Sequence, residues 1–236
     1  MTDIDSPGAL AAKPIANTVA KTAKATSPRM AQGKRLLMEA AVRLASRLSC
    51  AQSVSLRELA REAGLNHNTF YRHFSSQDAL LEEIVAEFGQ QLREGLTQAR
   101  QNAPSLADIT PTVVGWTLDF ALAHHAVFTI AMRERFGPPG PIRHAIEAML
   151  AQLQDDMLRE LQARGALPAL PEATLRPILA IIIDQIFKMC HAHIEAPERR
   201  AERLLEARAM FETLMIGAVT RQAMAVQPGT SMPATN

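Results

Sequence analysis

At 236 residues, 47% apolar but only 4% aromatic and with a net charge of +1, the chain has room for a small N-terminal domain and a larger second one with a sizeable core. Cys50 and Cys190 are too few and too far apart for a disulfide framework, so a reducing cytoplasm is the default compartment. No continuous apolar run reads as a secretory signal or a bilayer span, and richness in Ala, Leu, Met and Arg without Val/Thr/Tyr alternation predicts an all-α protein.

Residues 1–28, rich in Ala, Thr, Ser and Pro, are expected to form a disordered arm whose Lys13, Lys21 and Lys24 could touch phosphate. The first helix should begin near Arg29, with Leu36, Leu37, Ala40, Ala41, Leu44 and Leu48 as its apolar stripe. Ser53 to Phe74 then reads as two short helices and a tight turn. Ser55 and Glu58 have the spacing of a capping box, and Leu56, Leu59, Ala60 and Ala63 recur on one side. Gly64 can enter the left-handed conformation that ends this helix, with Leu65 folding back behind it. Asn66 caps the second helix, where Phe70 and Phe74 point inward one turn apart, so that Asn68 and Arg72 point outward with Thr69 and Tyr71 beside them.

A Gly-containing turn between two short helices, the second with a polar outer face, fits a helix-turn-helix that lays its second helix in the DNA major groove, or a surface hairpin of any helical domain. Charge favours DNA. Residues 29–75 hold eight Lys and Arg against three acids, whereas the chain after Ser75 holds 14 against 19. Positive charge concentrated on the helix pair is the footprint of a phosphate-binding module.

These residues also carry a resemblance. Ser55-Leu-Arg-Glu-Leu-Ala-Arg-Glu-Ala-Gly-Leu, followed by Thr69-Phe-Tyr-Arg-His-Phe, is similar to the signature of the TetR family of bacterial transcriptional repressors. The resemblance implies an N-terminal three-helix helix-turn-helix domain (29–75) plus a C-terminal helical ligand-binding and dimerisation domain (76–223), with a flexible tail over 224–236. It implies that Arg57 reaches a base edge and that Ser55, Thr69, Tyr71 and His73 position phosphates. His67 and Asn68 open the recognition helix as further base-reading candidates, and Arg72 points into the groove or across its edge. Many relatives place a Lys three residues past the closing Phe, where this chain has Gln77, so one phosphate contact fewer and a shallower salt dependence are expected.

Farther on, Ser75 or Ser76 should cap a long helix to about Asn102, carrying Leu80, Leu81, Ile84, Val85, Phe88, Leu92 and Leu96. The family resemblance makes it the lever between ligand and DNA-reading heads. Helices are expected from about Pro111 to Leu122, over Val127–Arg135, from Ile142 to about Arg164, over Ile178–Cys190, and from Glu198 to about Gln222, with His124-His125 a junction and 136–141 and 165–171 as breaks. On the last helix Leu204, Ala207, Phe211, Leu214 and Ala218 alternate by three and four, a bundle seam read here as the homodimer interface, with an intramolecular bundle as the alternative.

Phe128 to Gly137, above all Arg133-Glu134-Arg135, is similar to a branch of the family that represses unsaturated fatty acid synthesis and senses acyl-CoA; a salt-bridged helix end reads equally well. A pocket of Val114, Trp116, Phe120, Phe128, Met132, Arg133, Met149, Ile182 and Phe187 would suit such an effector, and would equally furnish a plain helical core. Cys190-His191-x-His193 is the one cluster of metal-ligand types, but only Cys190 and His193 share a helix face, so no metal and no cofactor are expected. With no Gly-rich phosphate loop, Gly-x-Ser-x-Gly, His-Glu-x-x-His or carboxylate pair, an enzyme is not expected either. The competing class is a helical lipid-binding module without a regulatory role.

Overall fold

The computed structural model describes residues 28–47, 54–164 and 170–226, and within them every regular element is helical. All of the expected arm but Pro28, with Leu48, Cys50 and most of the expected tail, lies outside the described residues, and Pro28 opens the first helix. In chain order the helices are α1 (Pro28–Ala45), α2 (Leu56–Glu62), α3 (His67–Phe70), α4 (Gln77–Gln101), α5 (Ile109–Ala123), α6 (His125–Arg135), α7 (Pro141–Arg164), α8 (Glu172–Glu195) and α9 (Arg200–Val226). Short 3-10 turns precede α5 and α9, at Leu106–Asp108 and Pro197–Arg199.

The first three helices form around their caps. Ser55 caps α2 by accepting from the Glu58 backbone N–H while the Glu58 carboxylate accepts from the Ser55 backbone, satisfying donors that a helix start leaves open. Gly64, at φ 66°, closes α2 as the left-handed residue, and the Leu65 N–H reaches back to the Ala60 carbonyl at 2.9 Å. Asn66 caps α3 through a 2.9 Å bond from the Asn68 N–H, and the helical path continues as a turn in which the Phe74 N–H reaches the Phe70 carbonyl at 3.0 Å. Phe70 and Phe74 are buried in one core with Leu37, Ala40, Ala41 and Leu59, with α2 packed on α1 and α3 on α2.

Ser76 caps α4, whose 25 residues extend about 37 Å at 1.5 Å per residue, from the small domain into the larger one. It packs chiefly on α5 and α7. Two glycines in this helix would each cost about 1 kcal/mol relative to alanine on propensity alone, and close approach of side chains explains them. A Cβ at Gly95 would lie 1.9 Å from the Trp116 ring, and one at Gly89 would lie 2.7 Å from Met149.

The His124-His125 junction is a bend of 98° between α5 and α6. No single helix among the described residues is long and apolar enough to cross a membrane, although that bent pair passes by length and composition together. The last two expectations need lengthening. α8 starts at Glu172, with Pro177 inside it, because Leu175 and Leu179 are buried against Met215 and Ala218 of α9, and this packing outweighs the proline. α9 runs on to Val226.

Candidate nucleic-acid interface and the cavity behind it

On α3 the two sides differ completely. Phe70 is fully buried, whereas the next residue, Tyr71, is 58% exposed, held edge-on against the rings of Phe70 and His67 with centroids 5.4 and 5.8 Å away. His67, Asn68 and Arg72 are exposed, Thr69 is half-buried beside them, and Arg57 is exposed in the first turn of α2. The structure therefore presents Arg57, His67, Asn68, Tyr71 and Arg72 to solvent as the sequence predicts.

Two expected phosphate contacts sit differently. Ser55 donates its hydroxyl proton to Glu58 Oε2 at 2.7 Å and accepts from the Glu58 N–H at 3.2 Å, so the capping box occupies the donor a phosphate would need. These Ser55 bonds also hold the Glu58 carboxyl below its ordinary range. His73 is half-buried against α1, where a Cβ on Gly33 would lie 2.8 Å from its Nε2. Burial, and then the charges of Lys34 and Arg72, lower its pKa, so the ring packs as a neutral group.

The basic excess is sorted by ion pairs. Arg43 bonds Glu62 at 2.8 Å and ties α1 to α2, Lys34 pairs with Glu83 of α4 while sitting over the Phe74 ring, and Arg35 pairs with Glu39. Arg47, Arg57, Arg61 and Arg72 are exposed and make no ion pair with any described residue. Arg47 and Arg61 count in the sequence reading only as charge. Their signal is the surplus of cations over the carboxylates able to reach them.

Behind the helix pair, α4, α5, α7, α8 and α9 enclose a cavity of about 290 Å³. Of the pocket residues expected from sequence, Val114, Ile182 and Phe187 line it. The others are elsewhere. Trp116 stacks on Phe120 at 5.0 Å, and Phe120 and Phe128 pack on Phe88 at 5.4 and 6.2 Å, a run of rings that fills the core rather than bounding a space. Met132 packs partly buried on the same core and Met149 rests on Gly89. Arg133 turns away from the cavity, donating from Nη1 to the Ala45 carbonyl at 3.2 Å and from Nε to Glu134 Oε1, and so fastens α6 to the end of α1. Helical spacing marks which residues are apolar, but a residue on a helix packed against several others can face core or cavity alike.

The seam on α9 packs on the chain's own helices, as in the intramolecular alternative, with Leu204, Phe211 and Leu214 half-buried. Leu204, Ala207, Phe211, Leu214 and Ala218 face the chain's own core, with Ala207 and Ala218 only 1% and 6% exposed and Ala207 and Phe211 lining the cavity. The period of three and four identifies an apolar seam without saying whose helix covers it. Exposed apolar side chains lie instead at Ile181 of α8 and at Leu205, Ile216 and Met224 of α9. Residues the sequence reading does not name include Arg100 and Glu160, an ion pair on the cavity wall, and Thr117, whose Oγ1 donates to the Val113 carbonyl at 2.7 Å. Cys190 is fully buried with Sγ 3.8 Å from the Thr117 carbonyl, burial pushes its thiol far up, and no group of three His, Cys, Asp or Glu among the described residues is placed to hold a metal.

A three-helix head with a polar, cationic second helix, joined by one long helix to a cavity-bearing helical body, defines a helix-turn-helix DNA-binding protein with a separate second domain. Residues 37–84 match the family described as bacterial regulatory proteins, tetR family. Among solved structures, the fold is similar to a TetR-family transcriptional regulator from Streptomyces coelicolor (TM-score 0.60, 20% identity, 85% of this chain and 91% of that one). It is also similar to a candidate TetR-family regulator from Syntrophomonas wolfei (TM-score 0.66, 14% identity, 78% and 95%) and to a candidate fatty acid metabolism regulator from Clostridium perfringens (TM-score 0.59, 13% identity, 77% and 97%). The match covers the helix-turn-helix segment, and the chain as a whole shares the fold of these TetR-type transcriptional regulators.

Proposed function

We propose that this DNA-binding regulator is a repressor that grips a near-palindromic operator as a homodimer and lets go when a small hydrophobic effector fills the cavity. The observation that carries the DNA half is the contrast on α3, where Phe70 and Phe74 are buried and Tyr71, Asn68 and Arg72 stand free. In this reading Arg57, His67 and Asn68 face base edges, while Thr69, Tyr71, Arg47, Arg61 and Arg72 serve the phosphates. Ser55 and His73 hold the recognition helix in place rather than bonding DNA directly.

Support for the response to effector is the continuity of α4, which is capped in the head at Ser76 and contributes Leu92, Leu96 and Arg100 to the cavity wall. A ligand in the cavity can change DNA affinity only through its preference between two settings of this helix. Support for the dimer is the exposure of the apolar side chains Ile181 on α8 and Leu205, Ile216 and Met224 on α9, which a second copy could cover. Control of lipid metabolism through acyl-CoA has less support, since Arg133 and Arg135, the residues most like that branch, line neither wall of the cavity.

Binding-site selection with the purified chain tests the DNA half. Enrichment of a two-half-site sequence with centres about one helical turn, roughly 34–36 Å, apart is expected, and no enrichment would overturn it. Leu205→Glu with Ile216→Glu tests the dimer. A folded monomer that no longer shifts operator is expected, and an unchanged oligomeric state would exclude this face.

A further inference from the structure

We infer that the cavity takes a monoanionic amphiphile, with a tail of about a dozen non-hydrogen atoms, since its 290 Å³ is roughly twice the 150 Å³ that holds benzene, and with a carboxylate-like head that replaces Glu160 at Arg100. The inference rests on the effector cavity just described and specifies the chemistry of what enters it. The lining is aliphatic or aromatic except for Thr110, Thr117, Arg100 and Glu160, and Thr117 already gives its hydroxyl proton to Val113. Charge therefore enters the wall at one place.

That place is also the way out. Arg100 and Glu160 line both the cavity and the surface groove between α4 and α7, so their ion pair stands where the apolar space meets water. A ligand with an apolar tail and one polar end fits that boundary, tail inward and head at the pair. The pair could exchange either partner, and burial decides which. Arg100 is 12% exposed at its side chain and Glu160 is 23% exposed. An anion arriving at Arg100 releases Glu160, the wetter of the two, into the open groove. A cation arriving at Glu160 would instead take the carboxylate from Arg100, the drier partner, leaving its guanidinium the Thr97 hydroxyl at 3.5 Å in place of a counterion, and removing the counterion of the more buried charge is the costlier outcome. An alcohol can do neither, because it leaves one charge without a counterion or leaves the pair intact and its own hydroxyl poorly placed. The guanidinium fork also suits a carboxylate better than any neutral head.

Calorimetric titration of the full chain at pH 7.5 with decanoate, decan-1-ol and decylamine tests this directly. Decanoate is expected to bind at least about threefold more tightly than the alcohol or the amine, the margin left after its bond to Arg100 displaces that of Glu160. Arg100→Gln is expected to erase that margin while leaving decan-1-ol within about twofold, and Glu160→Gln to tighten decanoate severalfold by removing the competing carboxylate. A purely structural ion pair would make both variants weaken every probe alike. That result, or decylamine binding as tightly as decanoate, or no heat with decanoate in a chain that melts normally, overturns the inference. Gel shift with decanoate separates it from the broader reading. Decanoate that binds as expected without changing operator affinity leaves the ligand class standing and removes the effector role; operator release by another compound, with no decanoate binding, does the reverse.

Discussion

The helix-turn-helix head and the cavity-bearing body are built from similar helices, yet a single position carries different amounts of information in each. In the head, α2 and α3 are short, α2 leaning on α1 and α3 on α2, so each has one side that must be buried and one that must be wet. Phe70 and Tyr71 differ by one step in sequence, yet one is fully buried and the other 58% exposed. In the body, α5 touches α4, α8, α9 and α6, so an apolar residue can face a core, a cavity or a neighbouring helix without any change in pattern. Function is legible where geometry leaves only two choices.

The largest effect should come from breaking the head alone. Arg57→Ala with Tyr71→Ala removes one candidate base contact and one candidate phosphate contact from exposed positions, and a loss of operator affinity of about 3 kcal/mol, roughly a hundredfold, is expected with a melting temperature lowered only by the Tyr71 ring contacts, worth about 1 kcal/mol. Fluorescence anisotropy with labelled operator measures it. Normal affinity in this variant would mean that the wet side of α3 is only surface. The body answers differently to a single methyl group. Gly95→Ala places a Cβ where the Trp116 ring lies, and overpacking of this kind costs about 1–3 kcal/mol despite alanine's better helix propensity. Chemical denaturation should show that loss, and a stabilised variant would mean that Trp116 can swing aside.

A smaller effect separates the two roles assigned to Ser55. As a cap, its replacement by Ala should cost about 1 kcal/mol of stability. Operator affinity measured well below the melting temperature should then fall by less than about threefold, since no phosphate bond is lost. A tenfold loss of affinity with an unchanged melting temperature would instead place the hydroxyl on DNA.

What could be read without coordinates follows the same division. The two caps, the Gly64 turn and the inward pair Phe70 and Phe74 are local features, fixed by residues two to five apart, and each is found where the spacing predicts it. The long α4 is legible too, because Ser76 and Asn102 bracket an unbroken apolar period. The α9 seam is legible as a seam and not as an interface. Its partner is set by the path of α5 and α8, which are distant in sequence. Arg133 shows the same limit. Its charge invites a ligand role, but the end of α1 lies within reach and Ala45 takes the hydrogen bond. Nor does any local pattern announce the Arg100–Glu160 pair, which forms between helices 60 positions apart.

The smallest effect decides whether His73 belongs to the head's chemistry or only to its packing. Its folded pKa lies below the ordinary 6.5, first because it is buried and then because Lys34 and Arg72 are near. A histidine held neutral by the fold contributes its full stability above the unfolded value near 6.5 and loses it as pH falls through the folded value. The melting temperature should therefore decline from pH 7 towards pH 5.5, and His73→Gln should flatten part of that decline. DNA gives the opposite sign if the imidazole meets a phosphate, because the anion would raise the pKa and operator binding would take up a proton. Affinity would then rise by as much as about tenfold per pH unit on acidification in the wild type, and not in His73→Gln. Packing against Gly33 leads us to expect the stability effect without the affinity effect, and measuring both on the same two proteins assigns the residue.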